Sequence, residues 1–454
     1  MRSGSSFLWR FDRRATLGGI ALFGGHLGLL LVFRLDQHPW ATLAAMGLAF
    51  SGLVLLGGSF SRSAQPRANA ILWVALALRL LVLPLPPSLS NDALRYLWDG
   101  KVLLAGQNPY TLAPESEELA AWRDVDWEIL PHKEVPTVYP PAAMAVFGIA
   151  AALPGSFYVL KALLVLFEMV GCLLLIALAR RRGLPRHRIV WYAWNPLVIV
   201  EVAGMGHVDA LGVAAMIAAV FWLDHGARRV SRSAVAAAIG GLAKLVPLVA
   251  LPMWARQSGR PWRMVWVAAL VAGVGFVPVL WITGAVPPGL LEYAVSWEFN
   301  GPLFEPLWRS LAWLDAPTGV AVMLDRAKEI TGWHDFWNPL YHYRYPQFLA
   351  KLILWALLGA VIWRSLWRRE VIASTGWLLG WVLLCSATVY PWYLLWVLPW
   401  AALCRQRAWL TLSVSIQLSY LPQLLDVPLW PWYYLAVWAP MTLVLSRSFR
   451  WSTD

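Results

Sequence analysis

Apolar stretches of about twenty residues, the length a helix needs to cross the hydrocarbon layer of a bilayer, recur along this chain and constrain its fold more than any other feature. Hydrophobic residues make up 59% of the chain and charged residues 14%, against roughly a quarter charged in an ordinary soluble domain. These values exclude a soluble globular enzyme, a disordered chain and a typical nucleic-acid-binding module. The sequence therefore predicts an all-α polytopic membrane protein.

The apolar stretches predict about twelve full spans. Two further segments, 142–154 and 233–253, do not fit: prolines enclose the first, and the second contains Lys244 and Pro247. If both segments crossed once, two Arg-rich loops would fall on the outer side. We therefore expect both to be re-entrant or juxtamembrane elements, such as short hairpins. Irregular backbone at membrane depth is tolerated where it lines a cavity, so the second segment points to a site near Lys244.

The distribution of charge predicts the topology. Lys and Arg concentrate in short loops, whereas most acidic residues lie in the long segments 89–141 and 285–345. The positive-inside rule then places both termini in the cytoplasm and both long loops outside. The net charge of +12 thus reflects topology and contact with membrane lipids, not nucleic acid. We expect one domain in a bacterial inner membrane, with N-terminal helices (1–88), a first outer loop (89–141), cavity-lining helices (142–284), a second outer loop (285–345) and C-terminal helices (346–454).

The first outer loop opens with a pattern that predicts an interfacial helix. Ser90 or Asn91 can cap its N-terminus, and polar residues then follow at helical spacing on one face. The remaining positions are largely apolar, as in a helix that lies on the membrane surface. Such a helix would hold a carboxylate beside the bilayer, although a capped surface helix without a catalytic role has the same pattern. The residues of the polar face are Asp92, Arg95, Tyr96 and Asp99.

Several ionisable residues lie in or beside apolar segments, where each is energetically costly and therefore a functional candidate. Glu201 and Asp209 flank a glycine-containing turn, and Lys244 lies within the irregular segment 233–253. Lys161 and Glu168, seven residues apart on one helical face, are expected to neutralise each other, and Arg79 to have a similar structural role.

The order of short motifs resembles one enzyme family. The chain is similar to the polyprenyl-phosphate-sugar-dependent, mannosyltransferase-like members of the GT-C glycosyltransferases, over residues from about 90 to 400 and not over 1–69. The matching motifs are Asp92-x-x-Arg95-Tyr96-x-Trp98-Asp99-Gly100, Gly106-x-Asn108-Pro109-Tyr110, Tyr139-Pro140-Pro141, Asn195-Pro196-Leu197 with Glu201, Gly206-His207-x-Asp209, Ala243-Lys244-x-x-Pro247, Trp297-x-Phe299-Asn300 and Tyr390-Pro391-Trp392-Tyr393.

The resemblance implies a GT-C-like fold and an inverting transfer of a hexose, with mannose expected, from a polyprenyl phosphate to a lipid or glycan acceptor at the outer face. Asp92 corresponds to the family's base. Lys244 and Arg344, with Arg95 and His207 behind them, are the expected ligands of the donor phosphate. The residues expected to bind substrate are Tyr96, Asp99, Tyr139, Glu201, Asp209, Asn300 and Tyr393.

No cofactor is expected. Some GT-C enzymes use a divalent ion, and Asp92, Asp99 and Asp209 could supply ligands, but their spacing does not require one. We therefore expect a metal-independent reaction.

A secondary transporter is the alternative, with Lys244, Glu201 and Asp209 forming a charged site at the midplane. The long acidic outer loops and the absence of recognisable internal halves count against it. A transferase would instead gather its charged residues in a lipid-open cavity at the outer leaflet.

Overall fold

A computed structural model describes residues 13–61, 66–338 and 345–449. The regular structure of the described residues is helical, and two single bridges join Phe299 and Asn300 to Thr388. Turns and irregular loops connect the helices, the longest between Leu104 and Pro141. The helices are α1 (Arg13–Val32), α2 (Pro39–Phe60), α3 (Ala68–Val82), α4 (Asp92–Leu104), α5 (Pro141–Ala151), α6 (Ser156–Arg181), α7 (His187–Ala193), α8 (Pro196–Ile199), α9 (Asp209–Asp224), α10 (Val230–Ala243), α11 (Leu251–Gln257), α12 (Pro261–Thr283), α13 (Pro288–Ser296), α14 (Phe304–Trp313), α15 (Ala316–Thr331), α16 (His334–Trp337), α17 (Pro346–Ser365), α18 (Val371–Leu384), α19 (Leu398–Cys404), α20 (Arg407–Ser415), α21 (Leu421–Leu425) and α22 (Trp432–Phe449).

Within the described ranges, five helices are long and apolar enough to cross a membrane: α1, α2, α6, α12 and α17. The helices α3, α5 and α18 are apolar but shorter, as is the combined segment Pro196–Met205. Several stretches predicted as spans are interrupted by proline or by a change of helix type, for example at Asn195-Pro196. The chain is therefore an integral membrane protein, and the number of about twelve spans stays a prediction.

The two irregular segments differ from each other. The first is a single helix, α5, so a hairpin within 142–154 was the wrong prediction; its 11 residues span only about 16 Å. The second is broken as expected. Helix α10 ends at Ala243, and the chain turns at Lys244 so that Pro247 and Leu248 pack back against Gly240 and Gly241.

Helices α1 and α2 form a closely packed antiparallel hairpin. Gly18 and Gly25 of α1 and Gly52 of α2 lie directly against the backbone of the partner helix, where a side chain would not fit. Small residues allow such close approach in membranes. The loop that joins the helices contacts the segment between α3 and α4, because the Leu35 amide donates to Ser88 Oγ at 3.3 Å.

A buried ion pair joins α3 to α6. Arg79 contacts Glu168 through two hydrogen bonds of 2.5 and 2.8 Å, and both side chains are fully buried. The predicted pairing of Lys161 with Glu168 is therefore wrong. The Lys161 ammonium instead donates to the carbonyls of Leu83 and Leu85, just beyond the end of α3. Glu168 is seven residues away from Lys161, about 10 Å along the axis of α6. Arg79 has the structural role that was expected.

Candidate active site

A cavity of about 1110 Å³ lies between the start of α4, the break after α10 and the turn 390–396. This volume exceeds the roughly 300–1,000 Å³ of pockets for drug-sized ligands, so the cavity has room for parts of two substrates. Five residues predicted from the sequence line it directly. They are Asp92, Arg95, Tyr139, Lys244 and Tyr393.

Asp92 is the first residue of α4, and its side chain is 26% exposed, toward the cavity. The predicted cap differs in detail: Asn91 occupies the capping position, but its side chain donates to the Ile129 carbonyl. The Ser90 hydroxyl instead accepts from the Asp92 amide at 3.3 Å.

Lys244 faces the cavity from the break after α10 and pairs with Asp209 of α9. Its ammonium lies 2.8 Å from each Asp209 carboxylate oxygen and 4.5 Å from the centre of the Tyr393 ring. Asp209 is fully buried and also accepts from Trp396 Nε1 at 2.6 Å. The Lys244 side chain remains 21% exposed, so the ammonium can contact a ligand in the cavity.

His207 and Glu201 lie behind Asp92. The last turns before His207 form a π-helix over Val200–Met205, which ends at Gly206 in a left-handed conformation with φ of 81°. Such π-helical turns are frequent at functional sites. They place His207 Nδ1 at 3.1 Å from the Glu201 carboxylate and Nε2 at 4.0 Å from Asp92 Oδ2.

Stacked aromatic rings form one wall of the cavity. Phe299 stacks on Tyr390 at 4.7 Å, Tyr390 on Trp392 at 4.5 Å, and Trp392 on His207 at 3.9 Å between ring centres. On the side of α4, Tyr96 is buried beneath the cavity, where it stacks on Phe147 and meets the Tyr139 ring edge-on. These rings give the cavity a rigid, amphipathic lining.

Arg95 and Asp99 are engaged with protein groups. The Arg95 guanidinium donates to Asp99 Oδ1 at 2.9 Å and to the carbonyls of His132 and Val135 at 2.7 Å each. Burial raises the pKa of the Asp99 carboxyl, against the lowering effect of Arg95. These contacts fix residues 132–135 onto α4 and favour a structural role for both side chains.

Asn300 is not among the residues that line the cavity. Asn300 is buried, accepts from Trp438 Nε1 at 3.0 Å and supports the link to Thr388. Arg344 lies outside the described residues.

The lining residues that sequence reasoning missed include Arg34, Tyr293, Trp392 and Tyr420. Trp392 lies in a motif that was noticed, although only Tyr393 was singled out from it. Arg34 lies in a six-residue loop between α1 and α2, where no motif or apolar segment singles it out. Tyr293 and Tyr420 carry no local signal, because only the folded chain brings them near Lys244 and Glu201.

Among the residues that the structure describes, no group of three or more His, Cys, Asp or Glu side chains is arranged to hold a metal ion. Two of the three carboxylates considered as ligands are already paired, Asp99 with Arg95 and Asp209 with Lys244. Metal independence stays a prediction.

The helical membrane fold encloses a large cavity with a carboxylate, an ammonium group and aromatic walls. This arrangement suits an integral membrane glycosyltransferase, and sequence comparison supports that class. The chain belongs to the alpha-(1->6)-mannopyranosyltransferase family, whose N-terminal-domain model matches residues 22–260. It is 26% identical to alpha-(1->6)-mannopyranosyltransferase A of Mycobacterium tuberculosis over 385 residues, which cover 80% of this chain and 70% of that protein. No solved structure gives a significant match.

The comparison confirms the resemblance to mannosyltransferases of the GT-C type and corrects its extent. The family match begins at residue 22, within α1, whereas the motifs left residues 1–69 unassigned. Most of α1 and all of α2 therefore lie within the family match. The loop between these helices reaches the cavity, where Arg34 contributes to the lining. The transporter alternative finds no support.

Proposed function

We propose that this protein transfers mannose from a polyprenyl phosphate to a hydroxyl of a lipid or glycan acceptor at the outer face of the membrane. The observation that carries the proposal is that Asp92 and Lys244 line one cavity in a chain of the mannopyranosyltransferase family. One residue can accept a proton and the other can stabilise a leaving phosphate.

The lining of the cavity supports a lipid-linked donor. Tyr158 at the start of α6 and Leu245 beside Lys244 line the cavity and are 48% and 41% exposed. Such exposed apolar surface in the lining can contact a polyprenyl chain while its phosphate binds in the cavity. The positive-inside distribution of Lys and Arg favours an outward-facing site and cytoplasmic termini.

The proposed reaction is a single displacement. The acceptor oxygen attacks the anomeric carbon while Asp92 takes the hydroxyl proton, and the bond from that carbon to the phosphate oxygen breaks with its electron pair leaving on the phosphate. One displacement inverts the anomeric carbon. An alpha-(1->6) product, as named for the mycobacterial relative, would therefore require a β-linked donor.

Lys244 is the proposed main ligand of the leaving phosphate, because a positive charge that meets developing negative charge lowers the barrier. Arg34, in the loop between α1 and α2, is a second candidate for the phosphate. Its side chain is half exposed and pairs only with the neighbouring Asp36 among the contacts described. Arg344 remains a proposed ligand from the resemblance. Tyr139 and Tyr393 are proposed to contact the sugar, and no metal or other cofactor is proposed.

The test is transfer of radiolabelled mannose from polyprenyl-phosphate-mannose to membrane acceptors. We expect Asp92→Asn to reduce transfer by about 10²–10⁴-fold, the usual contribution of a general base. The matched control is Glu118→Gln, an exposed carboxylate of the same outer loop that should leave transfer unchanged. Full activity of Asp92→Asn would assign the base to another residue, and absence of transfer by the wild type would exclude this donor.

Metal independence has its own test. We expect transfer to persist in EDTA. Loss of transfer that Mg²⁺ or Mn²⁺ restores would show that the reaction uses a divalent ion.

A further inference from the structure

We propose that His207 and Glu201 form a proton relay behind Asp92, in which His207 receives the acceptor proton from Asp92 and restores the Asp92 carboxylate. This inference rests on the proposed function and deepens it. It assigns His207 a positioning and relay role in place of the phosphate contact expected from the sequence.

The contacts of Nδ1 determine the tautomer of His207. Nδ1 lies 3.1 Å from a carboxylate oxygen of Glu201 and 3.2 Å from the Glu201 backbone carbonyl. An ionised Glu201 carboxylate and a backbone carbonyl are both acceptors and cannot donate. The proton between them and the ring is therefore on Nδ1. The lone pair of the neutral ring is then on Nε2, the atom that faces Asp92.

Nε2 of His207 is buried and has no hydrogen-bond partner in the described structure. Its neighbour on that side is Asp92 Oδ2 at 4.0 Å, about 1 Å beyond hydrogen-bond length. A buried polar atom without a partner needs an explanation. A hydrogen bond that forms when Asp92 becomes protonated supplies one, because the new carboxylic acid is a donor and Nε2 is an acceptor.

Neighbouring side chains hold the relay in place. The Tyr420 hydroxyl donates to both Glu201 carboxylate oxygens, at 3.0 and 3.2 Å. Trp392 stacks on the imidazole at 3.9 Å and 13°, which fixes the plane of the ring. The ring is thus oriented with one nitrogen toward each carboxylate.

The other charges near His207 are already engaged. Lys161 of α6 passes Gly206 with its aliphatic chain, while its ammonium donates to the carbonyls of Leu83 and Leu85. Asp209, two residues along the chain, is held by Lys244 and Trp396. Glu201 and Asp92 therefore remain as the charged groups that face the ring, one at each nitrogen.

The proposed step moves one proton along the relay and one electron pair to the phosphate. During transfer the acceptor proton moves to Asp92 and the electron pair of the breaking bond leaves with the phosphate. The proton then moves from Asp92 to Nε2, which leaves an Asp92 carboxylate and an imidazolium that Glu201 stabilises through Nδ1–H. The imidazolium loses its proton to water when the products depart.

The first experiment does not depend on the donor. Nitrogen-15 NMR of histidine-labelled protein in nanodiscs, with His207 assigned from its variant, reports which ring nitrogen carries the proton. We expect the Nδ1–H form in the wild type, a loss of that preference in Glu201→Gln and a shift of the Nε2 resonance in Asp92→Asn. An Nε2–H form in the wild type, or an Nε2 resonance indifferent to Asp92→Asn, would overturn the relay.

The second experiment is the pH dependence of kcat. Imidazoles titrate near neutral pH and carboxylates about 2 pH units lower. If the relay operates, His207→Gln should lower kcat about 10–100-fold, leave the KM for the donor unchanged and remove the fall in rate at mildly acidic pH. The control is His225→Gln at the far end of α9, whose Nδ1 also contacts a backbone carbonyl and whose ring also packs against a tryptophan.

The outcomes separate the two proposals. If His207→Gln lowers activity uniformly and leaves the pH profile unchanged, His207 has only a structural role. If it raises the KM for the donor, His207 contacts the phosphate. In both cases the transferase proposal stands. The wild type could also transfer no mannose although NMR shows the Nδ1–H form of His207 and an Nε2 resonance that responds to Asp92→Asn. In that case the assignment of the donor is wrong, and the proposed proton relay remains.

Discussion

The Lys244 ammonium lies 2.8 Å from both carboxylate oxygens of Asp209, and this pair joins the break after α10 to the first turn of α9. The Asp209 carboxylate is fully buried, whereas the lysine reaches the cavity. The pair therefore has two separable effects, neutralisation of a buried charge and presentation of a cation to the cavity.

Replacing Lys244 should show both effects. We expect Lys244→Met to lower the free energy of unfolding by about 3–5 kcal/mol, because a buried carboxylate loses its partner. The double variant Lys244→Met, Asp209→Asn should recover most of this stability but remain inactive. Thermal unfolding in detergent and mannosyl transfer on the same preparations test this. Recovered transfer in the double variant would mean that Lys244 only neutralises Asp209.

The Arg79–Glu168 pair makes a purely structural prediction. Glu168→Gln should destabilise the protein by about 3–5 kcal/mol, since the buried Arg79 is left uncompensated. A double-mutant cycle on thermal stability should give a strong coupling for Arg79 with Glu168 and little for Lys161 with Glu168. A strong coupling of Lys161 with Glu168 would support the pairing that their spacing in the sequence suggested.

The α1–α2 hairpin depends on close backbone contact. We expect Gly52→Ala to cost about 1–3 kcal/mol, because a methyl group there would meet the backbone of Leu22. Gly47→Ala is the matched control in the same helix: it faces open space and should be neutral or slightly stabilising, as alanine favours helix. Equal unfolding temperatures for the two variants would contradict this packing.

Arg95→Lys separates a structural from a ligand role. Lysine keeps the positive charge but cannot reproduce the three contacts to Asp99, His132 and Val135. We expect a loss of about 1.5–3 kcal/mol in stability, the range for hydrogen bonds to charged groups, and no change in the KM for the donor. A raised donor KM at unchanged stability would indicate that Arg95 contacts the phosphate.

Part of the candidate site was predictable because its signals are local. Asp92 begins a helix after a capping pattern, and Lys244 interrupts an apolar stretch beside a proline, so both could be recognised from neighbouring residues alone. The same reasoning failed where a partner lies elsewhere in the chain. Glu168 has Lys161 at helical spacing, yet it pairs with Arg79, which is 89 residues distant in sequence.

The sequence by itself determined that the chain is a membrane protein, and its motifs indicated the family, because hydropathy and short motifs can be identified without knowing any contact. Only the tertiary structure decided which side chains work together. Asp209 meets Trp396 across 187 residues, and Glu201 meets Tyr420 across 219. Such pairs form when helices pack, and a linear pattern carries no information on which faces will meet. The orientation of His207 between two carboxylates is a result of that packing.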